Sequence, residues 1–187
     1  MRRTGLVWGS AIVVAVVLFV ACGGGTHHAA QVGTSTTAQA EDASLTAADF
    51  HNVNTMTRVG DHFIANVRGH LAEALAVARS TTGGTYPVGT IIQLVPQEAM
   101  VKRRAGFSPA TRDWEFFSLD VSAKGTRIRS RGGAEVLNRF GGSCASCHGA
   151  AQPKFDDVCS TDHGCAPLPI GPAVFAALQR ADPRPRT

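Results

Sequence analysis

The feature that most constrains this chain is the run Cys144-Ala145-Ser146-Cys147-His148 near its C-terminal end. It matches the C-x-x-C-H pattern by which heme is attached covalently in c-type cytochromes. Two thiols at this spacing reach the two vinyl groups of one porphyrin and form thioethers, and the following histidine becomes the proximal ligand of the iron. The motif therefore predicts one covalent heme c, held by Cys144 and Cys147 and ligated by His148.

The same cysteine pair has two other interpretations. A C-x-x-C pair can form a disulfide, or it can supply half of a zinc site. A redox dithiol is expected in a βαβ context, and a zinc site needs further ligands at finger-like spacing. Neither feature is found in the sequence, so heme attachment is the preferred interpretation.

Composition and charge agree with one heme-binding domain. The chain has 187 residues, and only 6% of them are aromatic. A buried heme would add apolar contact area that the side chains alone lack. Without Arg2 and Arg3 there are 16 basic and 14 acidic residues. This small excess, with no basic run, argues against binding to nucleic acid.

The N-terminal residues resemble a bacterial export signal. A short basic region is followed by an apolar stretch over residues 6–21, which is shorter than a typical membrane-spanning helix. Cys22 then stands where a lipobox carries its lipid-modified cysteine. An uncleaved anchor and an ordinary signal peptide are the alternatives. All three predict an exported chain, and the preferred one is a lipoprotein anchored to a membrane and facing the periplasm or the cell exterior.

These patterns divide the chain into three parts. Residues 1–21 are the predicted signal peptide. Residues 22–43 are rich in Gly, Thr, Ser, Ala and Gln, and they predict a flexible linker behind the lipid anchor. Residues 44–187 are the predicted heme domain.

Apolar periodicity predicts helices at the start of this domain and strands after them. Apolar residues recur at spacings of three and four from Phe50 to Ala78, which is typical of amphipathic helices. Three later segments are rich in β-branched and aromatic residues: 90–95, 113–121 and 126–131. Short helices are predicted at 134–140 and 172–180. The predicted fold is α+β, with N-terminal helices packed on an antiparallel sheet and a C-terminal heme segment.

Two further cysteines, Cys159 and Cys165, lie in a loop-like segment after the motif. They can form a disulfide, or they can bind a second metal together with His163. Three ligands so close together leave no fourth, so we predict the disulfide and expect it to hold this segment beside the heme.

The late position of the motif bears on the sixth ligand of the iron. Only 39 residues follow His148, and none of them is a methionine. Met56 and Met100 lie upstream of the motif. Three upstream histidines could approach the iron, but helix-surface positions are the simpler expectation for His51, His62 and His70. We therefore predict an open or weakly occupied sixth position, free for a small ligand.

Four segments together are similar to those of a known family. They are Tyr86-Pro87-Val88-Gly89-Thr90, Trp114-Glu115-Phe116-Phe117, the late heme motif, and Phe155-Asp156-Asp157-Val158. Over about 100 residues the chain resembles the cytochrome P-460 family, which includes the cytochromes c′-beta. The four-helix cytochromes c′ also carry a late motif, but the predicted strands fit that bundle poorly.

The resemblance implies a heme near the face of an antiparallel sheet, often in a homodimer, and hydroxylamine or nitric oxide chemistry. In the hydroxylamine-oxidising members a lysine is cross-linked to the heme, and Lys102 is the nearest candidate. On the distal side, Glu115 could accept a proton, whereas Phe116 or Phe117 would cap the iron for uncharged ligands. Strand alternation puts Glu115 and Phe116 on opposite faces of the sheet.

The predicted function is therefore that of an exported monoheme c-type cytochrome that binds or oxidises small nitrogen-oxide ligands such as nitric oxide and hydroxylamine. A redox partner protein is expected, and enzymatic oxidation is left open. Two alternatives remain at this point: a periplasmic electron-transfer cytochrome with a six-coordinate heme, and a heme-free disulfide or metal-binding surface protein.

Overall fold

Six antiparallel strands form the centre of the structure, a computed structural model that describes residues 42, 45–168 and 170–186. Each strand pairs with the next one in the sequence, so the sheet is a meander. The strands are β1 Thr57–Val59, β2 His62–Asn66, β3 Thr90–Gln93, β4 Glu98–Lys102, β5 Trp114–Ser122 and β6 Gly125–Gly132. Three short α-helices have both ends within the described residues: α1 Leu71–Ala78, α2 Cys144–His148 and α3 Pro172–Arg180.

The predicted arrangement of N-terminal helices on a sheet is wrong. The first half of the segment assigned to helices forms the 3-10 turn Val53–Thr55 and the β1–β2 hairpin, and another 3-10 turn, Ala47–Asp49, precedes it. Only α1 is α-helical in that region. The fold is mostly antiparallel sheet with few helices.

The apolar spacing was misleading because its residues serve both faces of the sheet. Phe50 and Met56 pack on one face, whereas Val59 and Ile64 pack on the other. Gly60 has a φ of +58° in the two-residue turn between β1 and β2, a conformation that glycine adopts without steric cost. It closes a hairpin rather than separating two helices.

The other predicted elements have mixed outcomes. Strands β3, β5 and β6 and helix α3 are confirmed, whereas β1, β2 and β4 were missed. The helix expected at 134–140 is wrong. The side chain of Asn138 accepts hydrogen bonds from the backbone N–H groups of Phe140 and Gly142, and Cys144 donates to the Val136 carbonyl at 3.0 Å. These local bonds close a loop in place of a helix.

The two faces of the sheet have different partners. Ile64, Ile92, Met100 and Phe116 are cross-strand neighbours on one face, which we call the motif face because Cys144 packs there. Helix α1 covers part of it. The opposite face, called the far face, carries Ile91, Ala99, Val101, Phe117 and Leu119, and the N-terminal turns pack on it through Leu45 and Phe50.

The C-terminal end of the chain is fixed to the N-terminal turns by buried polar bonds. Arg184 donates to the Asp182 carboxylate at 2.6 Å and to the Phe50 carbonyl at 3.0 Å. Asp182 also accepts from the Val53 N–H at 2.8 Å, and Asn52 donates to the Arg184 carbonyl at 2.6 Å. The bonds to Phe50, from Val53 and from Asn52 join the two ends of the domain.

The signal peptide, the linker and Cys22 lie outside the described residues, except for Asp42, so the fold does not bear on them. Within the described part of the chain, no helix is both long and apolar enough to cross a membrane.

Asp182→Asn is expected to lower the free energy of unfolding by about 3 kcal/mol at neutral pH, because it leaves the Arg184 charge buried and unpaired. Burial alone would raise the pKa of Asp182, but the hydrogen bonds from Arg184 and Val53 and the Arg184 charge together hold it below its usual 3.8. The carboxylate therefore stabilises the fold above that value, and its contribution is lost as the pH falls through the lowered pKa.

Urea unfolding followed by tryptophan fluorescence, at pH 7 and in acid below the lowered pKa, measures this difference. The matched control is Asp120→Asn, which breaks the exposed pair with Arg127 and should change stability by less than about 0.5 kcal/mol. A loss at Asp182 that is equally large at both pH values would contradict the electrostatic explanation.

Candidate functional site

Both motif cysteines lie on α2, a single helical turn, and neither is in a disulfide. Cys144 is buried against Val136 and Val158, whereas Cys147 is exposed. Burial, with a smaller effect of the Glu98 charge, raises the pKa of Cys144 to about 11. Reactive dithiols have a lowered thiol pKa instead. The raised pKa of Cys144 therefore does not fit a redox dithiol.

His148 presents one ring nitrogen for a metal. Its Nδ1 lies 2.8 Å from the Asp157 carbonyl oxygen, which can only accept, so Nδ1 carries the proton and Nε2 keeps its lone pair. Burial lowers the pKa of His148, and the bond to Asp157 opposes this shift. A neutral imidazole with a fixed Nδ1–H is the form in which histidine ligates a metal.

The segment after the motif is anchored to the sheet through Asp156. Its carboxylate accepts from the Lys102 Nζ at 2.7 Å and from the Tyr86 N–H at 2.9 Å. Its backbone carbonyl accepts from the Trp114 Nε1 at 2.6 Å. Burial raises the pKa of Asp156, and the Lys102 ammonium opposes this shift. These bonds determine where the neighbouring Asp157 carbonyl lies.

The predicted disulfide between Cys159 and Cys165 is confirmed. The Cys159 Sγ lies 3.5 Å from the Cys147 carbonyl oxygen, so the loop that it closes contacts the motif helix. The His163 ring stacks on the Phe155 ring, with the ring centres 3.6 Å apart, and the His163 Nδ1 forms a hydrogen bond with the Val158 carbonyl. The second metal site is excluded by this pairing, and no group of three or more His, Cys, Asp or Glu in the described residues is arranged for a metal.

The three distal candidates do not lie together. Phe116 is on the motif face, with its ring 5.2 Å from the His148 ring. Phe117 is on the far face, 4.8 Å from the Phe50 ring. Glu115 alternates with Phe116 and is buried in an ion-pair cluster with Arg103 and Arg131. Only Phe116 shares a face with His148.

Lys102, the candidate for a heme cross-link, lies on the motif face beside Trp114. Its Nζ donates to the Asp156 carboxylate and to the Arg112 carbonyl, at 2.7 and 2.6 Å, and lies 5.1 Å from the Trp114 ring centre. The amine is thus engaged in a buried ion pair.

Of the upstream methionines and histidines considered as sixth ligands, Met100 and His62 lie on the motif face. Met100 is buried there, whereas Met56 packs on the far face. His62 is opposite Val59, which packs on the motif-face core. Burial, and then the nearby His148, lower the pKa of His62 to about 4. The alternation of side chains along β2 and β4 would have placed both residues on this face if these strands had been predicted.

Comparisons with known proteins do not add to this geometry. No family model, curated protein or solved structure matches the chain. The function of the chain is therefore inferred from the residues of the site.

Replacing both disulfide cysteines, as Cys159→Ser with Cys165→Ser, should lower the free energy of unfolding by about 2 kcal/mol. The reason is that the unfolded chain gains conformational entropy when this short loop is no longer closed. The cysteines are six positions apart. Proteolysis should also become faster in the segment after the motif. Thermal unfolding and limited proteolysis test this, and wild type treated with a reductant is the control. Equal protease resistance in all samples would contradict the anchoring role.

Proposed function

We propose that this chain is an exported monoheme c-type cytochrome whose iron has an open or weakly occupied sixth position and binds or oxidises small nitrogen-oxide ligands. The observation that carries the proposal is the state of His148. Its Nδ1 is held by the Asp157 carbonyl, which leaves Nε2 available on the helix that also carries two unpaired thiols.

The residues around the motif fit a covalent heme. Cys144 and Cys147 are one helical turn apart and would hold the porphyrin through thioethers, with His148 as the proximal ligand. Leu137 and Phe140 precede the motif and are 56% and 53% exposed. Large apolar side chains at such exposure suit contact with an apolar ligand surface.

When bound, the heme would supply an iron that takes up a small ligand or exchanges one electron. His148 would hold that iron, and Asp157 would orient the imidazole ring. Phe116, Ile64 and Ile92 give the motif face an apolar surface that excludes water.

The ligand class follows from the resemblance to the P-460 family and from the placement of charge. Glu115, the carboxylate considered as a proton acceptor, is occupied by Arg103 and Arg131 on the far face. This favours binding of an uncharged ligand such as nitric oxide over a proton abstraction by Glu115. Anchoring through Cys22, a homodimer and a redox partner remain parts of the proposal that rest on the sequence.

An electron-transfer cytochrome with a six-coordinate heme is the second candidate. The observation that favours it is that Met100 and His62 both lie on the motif face. Either side chain could occupy the sixth position, through a thioether sulfur or an imidazole nitrogen.

The purified protein, produced in a host that assembles c-type cytochromes, should contain one covalent heme. Cys144→Ser with Cys147→Ser should abolish it, because both thioether bonds are lost. A pyridine hemochrome spectrum and heme staining of a denaturing gel measure this. Cys159→Ser with Cys165→Ser is the control and should keep the heme. A colourless wild-type protein would overturn the proposed function.

The optical spectrum distinguishes the two candidates. An open position predicts a high-spin ferrous heme whose spectrum changes on addition of nitric oxide, and Met100→Leu and His62→Gln should leave the initial spectrum unchanged. A low-spin spectrum that becomes high-spin in one of these variants would instead support the six-coordinate electron carrier.

A further inference from the structure

We infer that the buried Lys102–Asp156 ion pair is a positioning device for the proximal ligand: it holds the turn whose next carbonyl, that of Asp157, accepts the Nδ1–H of His148. The inference rests on the proposed function, because it concerns the ligand of the heme iron. It gives Lys102 a role other than a covalent bond to the heme.

The turn that carries this carbonyl has an unfavourable backbone. Asp156 and Asp157 are consecutive and have φ values of +53° and +57°. L-residues rarely adopt this left-handed region, although aspartate tolerates it better than most. Such a conformation persists only where the surroundings enforce it.

The enforcing contacts come from the sheet and its loops. Lys102 of β4 and the Tyr86 N–H bind the Asp156 carboxylate, and Trp114 of β5 binds its carbonyl. Arg112 is paired with the Asp157 carboxylate at 2.9 Å. Every one of these partners precedes the motif in the sequence, so the sheet determines where a carbonyl after the motif points.

Stability alone is a weak reason for this ion pair. Both side chains are more than nine-tenths buried, and a buried pair is often no more stabilising than an apolar replacement of similar volume. Removal of one partner, however, leaves a buried charge uncompensated and allows the turn to relax. The hydrogen bond from His148 should then weaken, and so should the basicity of the imidazole toward the iron.

Lys102→Met and Asp156→Asn test the inference together, because they change the local charge in opposite directions. The iron–histidine stretching band of the ferrous protein, measured by resonance Raman spectroscopy, should shift to lower frequency in both variants. Faster exchange of the His148 Nδ1 proton with solvent, measured by NMR, should accompany the shift, and this readout does not depend on coordination number. Arg112→Gln changes a half-exposed partner of Asp157 and should give a smaller shift in the same direction.

Asp182→Asn is the matched control, since it breaks a buried ion pair at the other end of the domain and should move neither readout. If both readouts are unchanged in the Lys102 and Asp156 variants, the pair does not position His148 and the inference is overturned. If the readouts move in opposite directions in the two variants, the pair acts only through its charges, and the inference is overturned as well. If neither variant can be purified, an unshifted Arg112→Gln protein overturns it. A Lys102–heme bond found by mass spectrometry would do the same. A wild type without heme overturns the proposed function as well, whereas heme retention with unchanged readouts overturns this inference alone.

Discussion

The candidate site depends on how the turn at Asp156 is attached to the sheet. The motif helix is one turn long, and an isolated helix of that length is not stable in water. Its position must therefore come from tertiary contacts on both sides. Cys144 packs into the motif-face core before it, and the Asp156 turn is bound by Lys102, Tyr86 and Trp114 after it. His148 lies between these two attachments.

Strand β5 places Glu115 and Phe116 on opposite faces of the sheet. On β5, Glu115 and Phe117 face one side, where Arg103 and Arg131 neutralise the carboxylate. Phe116 faces the other side, next to His148. A heme at the motif would thus meet the apolar side chain of Phe116, while the Glu115 carboxylate lies behind the strand. This placement argues against proton abstraction by Glu115, and it is one reason for proposing an uncharged ligand.

The Cys159–Cys165 disulfide and several single elements were predictable from sequence, whereas the topology was not. The C-x-x-C-H pattern and the Cys159–Cys165 disulfide depend on residue identity and short spacing. The hairpin at Gly60 was misassigned because apolar residues for two faces, counted together, imitate the spacing of one helical stripe. Strand β4 was missed, and with it the placement of Met100 on the motif face.

The role of Asp156 could not have been predicted from spacing. Its partners are 42 to 70 positions away in sequence, and they meet only because a meander brings β4, β5 and the loop before β3 to one place. Two adjacent aspartates after the motif are visible in the sequence. Which of them binds the sheet through its side chain, and which offers its carbonyl to His148, depends on two left-handed backbone conformations.

The described cysteines pair selectively: Cys159 and Cys165 form a disulfide, whereas Cys144 and Cys147 do not. A disulfide beside two free thiols creates a risk of exchange, because a thiolate can attack a disulfide sulfur. Cys159 lies close to the backbone of Cys147, so the risk at this site is concrete. Exchange requires the thiolate form, and burial raises the pKa of Cys144 to about 11, which keeps that thiol protonated at neutral pH. In the oxidising compartment that we propose, the Cys159–Cys165 loop could therefore close while the Cys144 thiol stays reduced and available for the proposed heme.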